Sequence, residues 1–165
     1  PFVSIGQEIS INTLQLAVAY SAAANGGYLP NARIIKNISG NGYEERDYSP
    51  KPVRKVMTRE TSEILLSMME DVVNHGTANK ARIPGFRIGG KTGTAEAPPY
   101  RIDNVSETIK GGRHAWFVVL ASSLGKSTPS VVVVVLVEHG GTGGLVAGPI
   151  ANQALHALAA EGNFK

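Results

Sequence analysis

The segment Gly85-Phe86-Arg87-Ile88-Gly89-Gly90-Lys91-Thr92 fits the pattern G-x-x-x-x-G-K-[ST] letter for letter, the signature of a loop whose backbone amides cradle phosphates. Such a loop needs a buried strand just before its first Gly and a helix starting at the Lys, so that N-terminal amides and the helix dipole face the anion. Neither flank supplies this. Asn79-Lys80-Ala81-Arg82-Ile83-Pro84 is too polar for a central strand, and Gly93 with the Pro98-Pro99 pair discourages a helix. Val131 to Val137 followed by Glu138 could imitate a metal-binding strand end, which leaves nucleotide binding as a minor alternative.

The same lysine can be read as part of Lys91-Thr92-Gly93-Thr94 on an exposed strand, and its chemistry then suits a substrate ending in a carboxylate. Lys91 supplies a positive charge, Thr92 and Thr94 supply hydroxyl donors, and Gly93 lacks the Cβ that would hold a substrate backbone off the strand. An edge strand can also pair with an extended peptide and lend an amide to a developing oxyanion.

Other chemistries find little support. There is no Cys among the 165 residues, so disulfides, thiolate metal sites and cysteine nucleophiles are excluded for this chain. His75, His114, His139 and His156 form no metal-ligand spacing, and neither a metal nor a cofactor is expected. The net charge of +3 arises from 16 basic and 13 acidic residues without a block of like charges, so nucleic acid is not an expected partner. At 42% hydrophobic and 18% charged residues the composition is that of one globular domain. The longest apolar runs, such as Val131 to Val137, are far shorter than the roughly 18 to 20 residues of a spanning helix. The opening Pro1-Phe2-Val3-Ser4 has neither an initiator Met nor a leader pattern, and a piece of something longer is expected.

The positioning elements follow from periodicity. A helix is predicted over Thr13 to Ala24, capped by Ser10, Asn12 or Thr13 and ended by Asn25-Gly26-Gly27. Tyr28 to Pro52 reads as an irregular surface excursion with a short β-type run at Arg33-Ile34-Ile35. A second helix is predicted over Thr58 to Val73, capped by Thr58 and stopped at His75-Gly76, with Ile64, Leu65, Met68, Met69 and Val72 at helical spacing. Phe86-Arg87-Ile88 begins a strand that runs into the lysine segment, Ala97 to Gly112 is a long loop, and Ala115 to Ser122 and Val131 to Glu138 are apolar strands covered on both faces. After the glycine-rich turn His139 to Gly144, a last helix runs from about Val146 to Ala160. Three strands with short connections favour an antiparallel meander, giving an α+β class.

The stretch Gly6-Gln7-Glu8-Ile9-Ser10-Ile11-Asn12-Thr13-Leu14-Gln15-Leu16-Ala17, with Ala19-Tyr20 and Ala24-Asn25-Gly26-Gly27, closely resembles one in class B penicillin-binding proteins. Gly76-Thr77-Ala78, the K-T-G segment Gly89 to Glu96, His114-Ala115-Trp116-Phe117 and Gly148-Pro149-Ile150 follow in that family's order, so the resemblance covers nearly the whole chain. Serine β-lactamases share the K-T-G logic but not the Gly6 to Gly27 stretch. The resemblance implies residues 1 to 165 as the C-terminal portion of one transpeptidase domain with the penicillin-binding-protein and serine β-lactamase-like fold. Such a domain cross-links peptidoglycan stem peptides and is the target of β-lactams. It implies Lys91, Thr92, Gly93 and Thr94 as substrate-binding residues, with Lys91 and the Thr94 backbone amide, half of an oxyanion hole, as catalytic ones. It also implies a parent anchored in the cytoplasmic membrane with this domain on the outer side.

The family nucleophile, the Ser of S-x-x-K, and the middle S-x-N motif precede the region matched, so this chain is expected to be inactive without the remaining N-terminal part of the protein. Ser123-Leu124-Gly125-Lys126 spells S-x-x-K in a turn after K-T-G, while Ser39-Gly40-Asn41 and Ser10-Ile11-Asn12 spell S-x-N in a turn and at a helix entrance. None of the three is assigned a catalytic role. A second reading is a β-lactam sensor or silent binding module of the same fold. Trp116 and Phe117 are expected mainly in the core, Glu96 in solvent, and Ala97 to Gly112 as a connection or a lid beside the site. The family pairs its last strand with the domain's first, absent here, so Val131 to Val137 is expected to offer an open edge for self-association.

Overall fold

The computed structural model describes residues 9–42, 46–48, 51–101, 108–109 and 112–164. Gly6, Gln7 and Glu8 of the first motif and much of the Ala97 to Gly112 loop lie outside the described residues. Helix α1 spans Thr13–Ala24, as its periodicity predicts. Its entrance is a capping box: the Asn12 carboxamide oxygen accepts from the Gln15 amide at 2.8 Å, and the Gln15 side chain accepts from the Asn12 amide at 3.1 Å. Four short strands follow: β1 (Tyr28–Pro30), β2 (Asn37–Ile38), β3 (Arg46–Asp47) and β4 (Pro52–Lys55), paired β1 with β4 and β2 with β3. The run Arg33-Ile34-Ile35 is not a strand, contrary to expectation. Ile34 is fully exposed, and the hydrogen-bonded ladder forms at Asn37–Ile38 instead.

Helix α2 spans Arg59–Asn74, with the Thr58 hydroxyl accepting from the Thr61 amide at 3.1 Å and His75 at its end. A 3-10 turn at Asn79–Ala81 leads through Pro84-Gly85 into β5, Phe86–Ala97. The loop after β5 is not wholly irregular: it holds β6 (Tyr100–Arg101) and β7 (Thr108–Ile109), which pair with each other. Strand β8 (Gly112–Ser123), strand β9 (Val131–Val137) and helix α3 (Gly143–Ala160) complete the order. Helix α3 begins three residues before the predicted Val146, because Thr142 is its N-cap and the glycines read as turn form its first turn.

The main sheet is the predicted antiparallel meander, ordered β5-β8-β9. Its register runs without a bulge from Phe86↔Ser123 to Ala97↔Gly112, and from Ala115↔Val137 to Ala121↔Val131. Successive side chains of β8 alternate between faces, so Ala115, Phe117, Val119 and Ala121 meet Val73, Ile88, Ala147, Ala151 and Leu155 on the α3 side. Leu120 meets Ala23, Leu66 and Met69 on the α1–α2 side. Both faces are covered, which is why these strands read as continuous apolar runs. The buried Ser62 hydroxyl donates to the Ala23 carbonyl at 2.6 Å and ties α2 to α1.

Helix α2 lies along β5 at a distance set by two glycines. A Cβ on Gly89 would stand 3.1 Å from Met69 Cβ, and one on Gly90 would stand 2.8 Å from Phe117 Cζ and 3.0 Å from Val73 Cγ2. Gly90→Ala is therefore expected to cost about 1–3 kcal/mol by overpacking, read as a lower urea midpoint. Combined with Phe117→Leu, which makes room, the loss should be smaller than the sum of the two single losses. Strict additivity would show that the ring is not what excludes the methyl group.

Candidate active site

Strand β5 has β8 on one side and no strand on the other among the described residues, so Lys91, Thr92, Gly93 and Thr94 sit on an edge strand as expected. No helix starts at Lys91: Gly85 lies in a turn and Phe86 to Thr92 runs along the strand, which removes the phosphate-loop reading. Alternation places Lys91 and Gly93 on the α1–α2 face with Trp116 and Val118, and Thr92 and Thr94 on the α3 face with Phe117 and Ala115. The long Lys91 side chain is exposed and curls back so that Nζ donates to the Thr92 carbonyl at 2.6 Å. Among the described residues no carboxylate pairs with Lys91, so its charge remains available at the strand edge.

The two hydroxyls are held from the α3 side. Thr94 Oγ1 accepts from the Gly143 amide, the first of α3, at 3.3 Å. Thr92 Oγ1 lies 3.1 Å from Thr77 Oγ1, in the turn after α2. Each Thr has one hydroxyl proton and two lone pairs, so Thr94 keeps its proton while accepting. The helix comes this close because Gly143 has no side chain: a Cβ there would collide with the Gly93 and Trp116 carbonyl oxygens. Gly144 likewise lies against the Thr77 carbonyl and the Thr92 methyl group. Thr77, Gly143 and Gly144 were not identified as site residues by sequence reasoning, although a Thr before two glycines and an apolar helical run is a readable N-terminus.

Gly93 also has a close cross-strand neighbour. A Cβ on it would stand 3.1 Å from Trp116 Cβ, so the cross-strand tryptophan occupies the space beside it. Phe117 is fully buried and Trp116 half-buried, whereas Glu96 is exposed as expected. The serine decoys are structural. Ser123 ends β8, donates to the Phe164 carbonyl at 3.4 Å and is followed by the turn at Leu124-Gly125. Ser39-Gly40-Asn41 lies in a bend and turn, and Ser10-Ile11-Asn12 enters α1. Among the described residues no group of three or more His, Asp or Glu could hold a metal ion.

The result is an antiparallel sheet between helices, with a cation and two buttressed hydroxyls on a strand edge that bears no further strand among the described residues. Residues 2–156 match the family model described as penicillin binding protein transpeptidase domain. The chain is 34% identical over 156 residues to stage V sporulation protein D of Bacillus subtilis, covering 89% of this chain and 22% of that protein. It is 29% identical over 167 residues to the peptidoglycan D,D-transpeptidase PbpA of Mycolicibacterium smegmatis, covering 97% of this chain and 32% of that one. Among solved structures it resembles penicillin-binding protein A of Mycobacterium tuberculosis as its ceftriaxone acyl-enzyme complex. The TM-score is 0.76 and the identity 27%, over 94% of this chain and 34% of that one. The chain belongs to the penicillin-binding-protein transpeptidase domain family, and it spans about a fifth to a third of the length of these relatives.

The seating of α3 on β5 yields a paired expectation. Gly143→Ala drives a methyl group into two backbone carbonyls and should lose about 1–3 kcal/mol or more in chemical denaturation. Gly148→Ala, later in the same helix with no atom within 4 Å of the added Cβ outside its chain neighbours and its own helix backbone, should lose clearly less. Equal effects at the two positions would contradict the close-approach argument.

Proposed function

We propose that this chain is the C-terminal portion of a serine-type D,D-transpeptidase domain that cross-links peptidoglycan and is acylated by β-lactams. Its part in the reaction is to hold the substrate carboxylate and one half of the oxyanion hole. The observation that carries this reading is the β5 edge, which has no further strand among the described residues and brings the exposed Lys91 cation and the Thr92 and Thr94 hydroxyls onto one strand within a family match spanning residues 2–156. That the related tuberculosis protein was solved as a ceftriaxone acyl-enzyme supports it further.

In this mechanism a serine from the preceding part of the protein attacks the penultimate D-Ala carbonyl. The Ser oxygen–acyl carbon bond forms, the peptide C–N bond breaks, and the departing D-Ala nitrogen takes a proton. The acyl group then passes to an amine of a neighbouring stem peptide. Lys91 attracts the terminal carboxylate, Thr92 and Thr94 donate to it, and the Thr94 backbone amide stabilises the carbonyl oxygen as its charge develops. The parent is placed at the cytoplasmic membrane with this domain on the outer side. No helix among the described residues is long and apolar enough to cross a membrane.

Intact-mass measurement after incubation with a penicillin tests this directly. A single adduct is expected on an N-terminally extended protein and none on this chain. Adduct on this chain would reveal a reactive Ser within it, and no adduct on either would favour a catalytically silent module. In the extended protein Lys91→Ala should slow acylation about tenfold or more, since a charge-assisted hydrogen bond is lost. Near-normal acylation would remove Lys91 from the role.

The outer edge of β9 carries no strand among the described residues, and its seven residues bear no charge. We propose that this edge pairs with the preceding part of the domain and, in the isolated chain, with a second copy. Light scattering at high concentration should then find dimers or larger species, and a monodisperse monomer would contradict the pairing.

A further inference from the structure

We propose that Thr77 is a positioning residue for the substrate carboxylate, acting through the Thr92 hydroxyl; the inference rests on the transpeptidase reading above. Thr92 has two branches on its Cβ, and the surroundings assign each a place. Its methyl group faces Gly144, 3.3 Å from where a Cβ would stand, and its hydroxyl faces Thr77 Oγ1 at 3.1 Å. A β-branched side chain held on both branches has one available rotamer.

The Thr77 backbone is itself fixed. The Gly76 and Ala78 amides both donate to the Val72 carbonyl at 3.1 Å, closing the end of α2, and Ala78 is buried in the core. The Thr77 carbonyl lies against Gly144, so α2, β5 and α3 converge on this one residue. Its hydroxyl is thereby delivered to Thr92 by a rigid frame, which preorganises the site before substrate arrives.

The direction of the hydrogen bond follows from the ligand. Either hydroxyl can donate in the free protein, but a carboxylate accepts only, so binding it requires the Thr92 proton to turn outward. Thr77 must then donate to Thr92. The two hydroxyls form a short donor chain ending on the carboxylate, each bond polarising the next. Replacing Thr77 by Val keeps the shape and removes the donor, leaving Thr92 without its partner.

The test uses the full-length parent carrying the nucleophile, with benzylpenicillin and its methyl ester, which lacks the carboxylate charge. Thr77→Val should lower the second-order acylation rate constant for benzylpenicillin about five- to tenfold, the loss of one charge-linked hydrogen bond. Thr77→Ser should restore it, and the methyl ester should be acylated equally slowly by both forms. In a Thr92→Val background, adding Thr77→Val should change nothing further. Full activity of Thr77→Val, or a loss that is additive with Thr92→Val or equal for the methyl ester, would overturn the role. Failure of the unmodified parent to be acylated at all would instead overturn the transpeptidase reading.

Discussion

The site depends on one close approach: the first turn of α3 resting on the backbone of β5 and β8, where Gly143 meets the Gly93 and Trp116 carbonyl oxygens. No side chain fits in that gap, so the contact is made between main chains and its geometry is set by backbone dimensions rather than by flexible groups. Everything that presents the Thr92 and Thr94 hydroxyls follows from it. Thr94 is bonded to the first amide of the helix, Thr92 is held between Gly144 and Thr77, and the hydrophobic core around Phe117 and Leu155 holds the helix down from behind. A loosely packed helix would leave the same residues in sequence without fixing them in space.

The charge at the site is arranged differently from the hydroxyls. Lys91 is exposed and its Nζ donates to the carbonyl of the next residue, while Arg87, near the start of β5, is bound to Glu70 at 2.6 Å and to the Ser127 carbonyl. Arg87 is thus engaged in holding α2, β5 and the β8–β9 turn together. Among the described residues Lys91 meets no carboxylate, so an incoming anion would not have to break an ion pair there. The strand therefore carries one cation that fastens the fold and one that is exposed to solvent.

Much of this was legible in the residues themselves. Asn12 and Thr58 are helix caps by chemistry, Ile64 to Val72 has helical spacing, and the valine-rich runs announce strands covered on two faces. Lys91-Thr92-Gly93-Thr94 stands out because a cation, two hydroxyls and a missing Cβ coincide. Contacts between distant segments were not legible. Gly143 and Gly144 look like turn residues until Gly93 and Thr77 are seen against them, and Thr77 and Thr92 are fifteen positions apart. Arg33-Ile34-Ile35 has strand-like composition but pairs with no strand among the described residues, and composition alone does not supply a partner.

The central claim is that the β5 edge receives the carboxylate of the acyl substrate or its β-lactam mimic. A crystal structure of the full-length parent acylated by benzylpenicillin tests it most directly. The carboxylate should lie within hydrogen-bond distance, roughly 2.5–3.2 Å, of the Thr92 or Thr94 hydroxyl and beside Lys91, with the acyl carbonyl oxygen on the Thr94 amide. A carboxylate turned to solvent, or held by residues outside Lys91 to Thr94, would contradict the account.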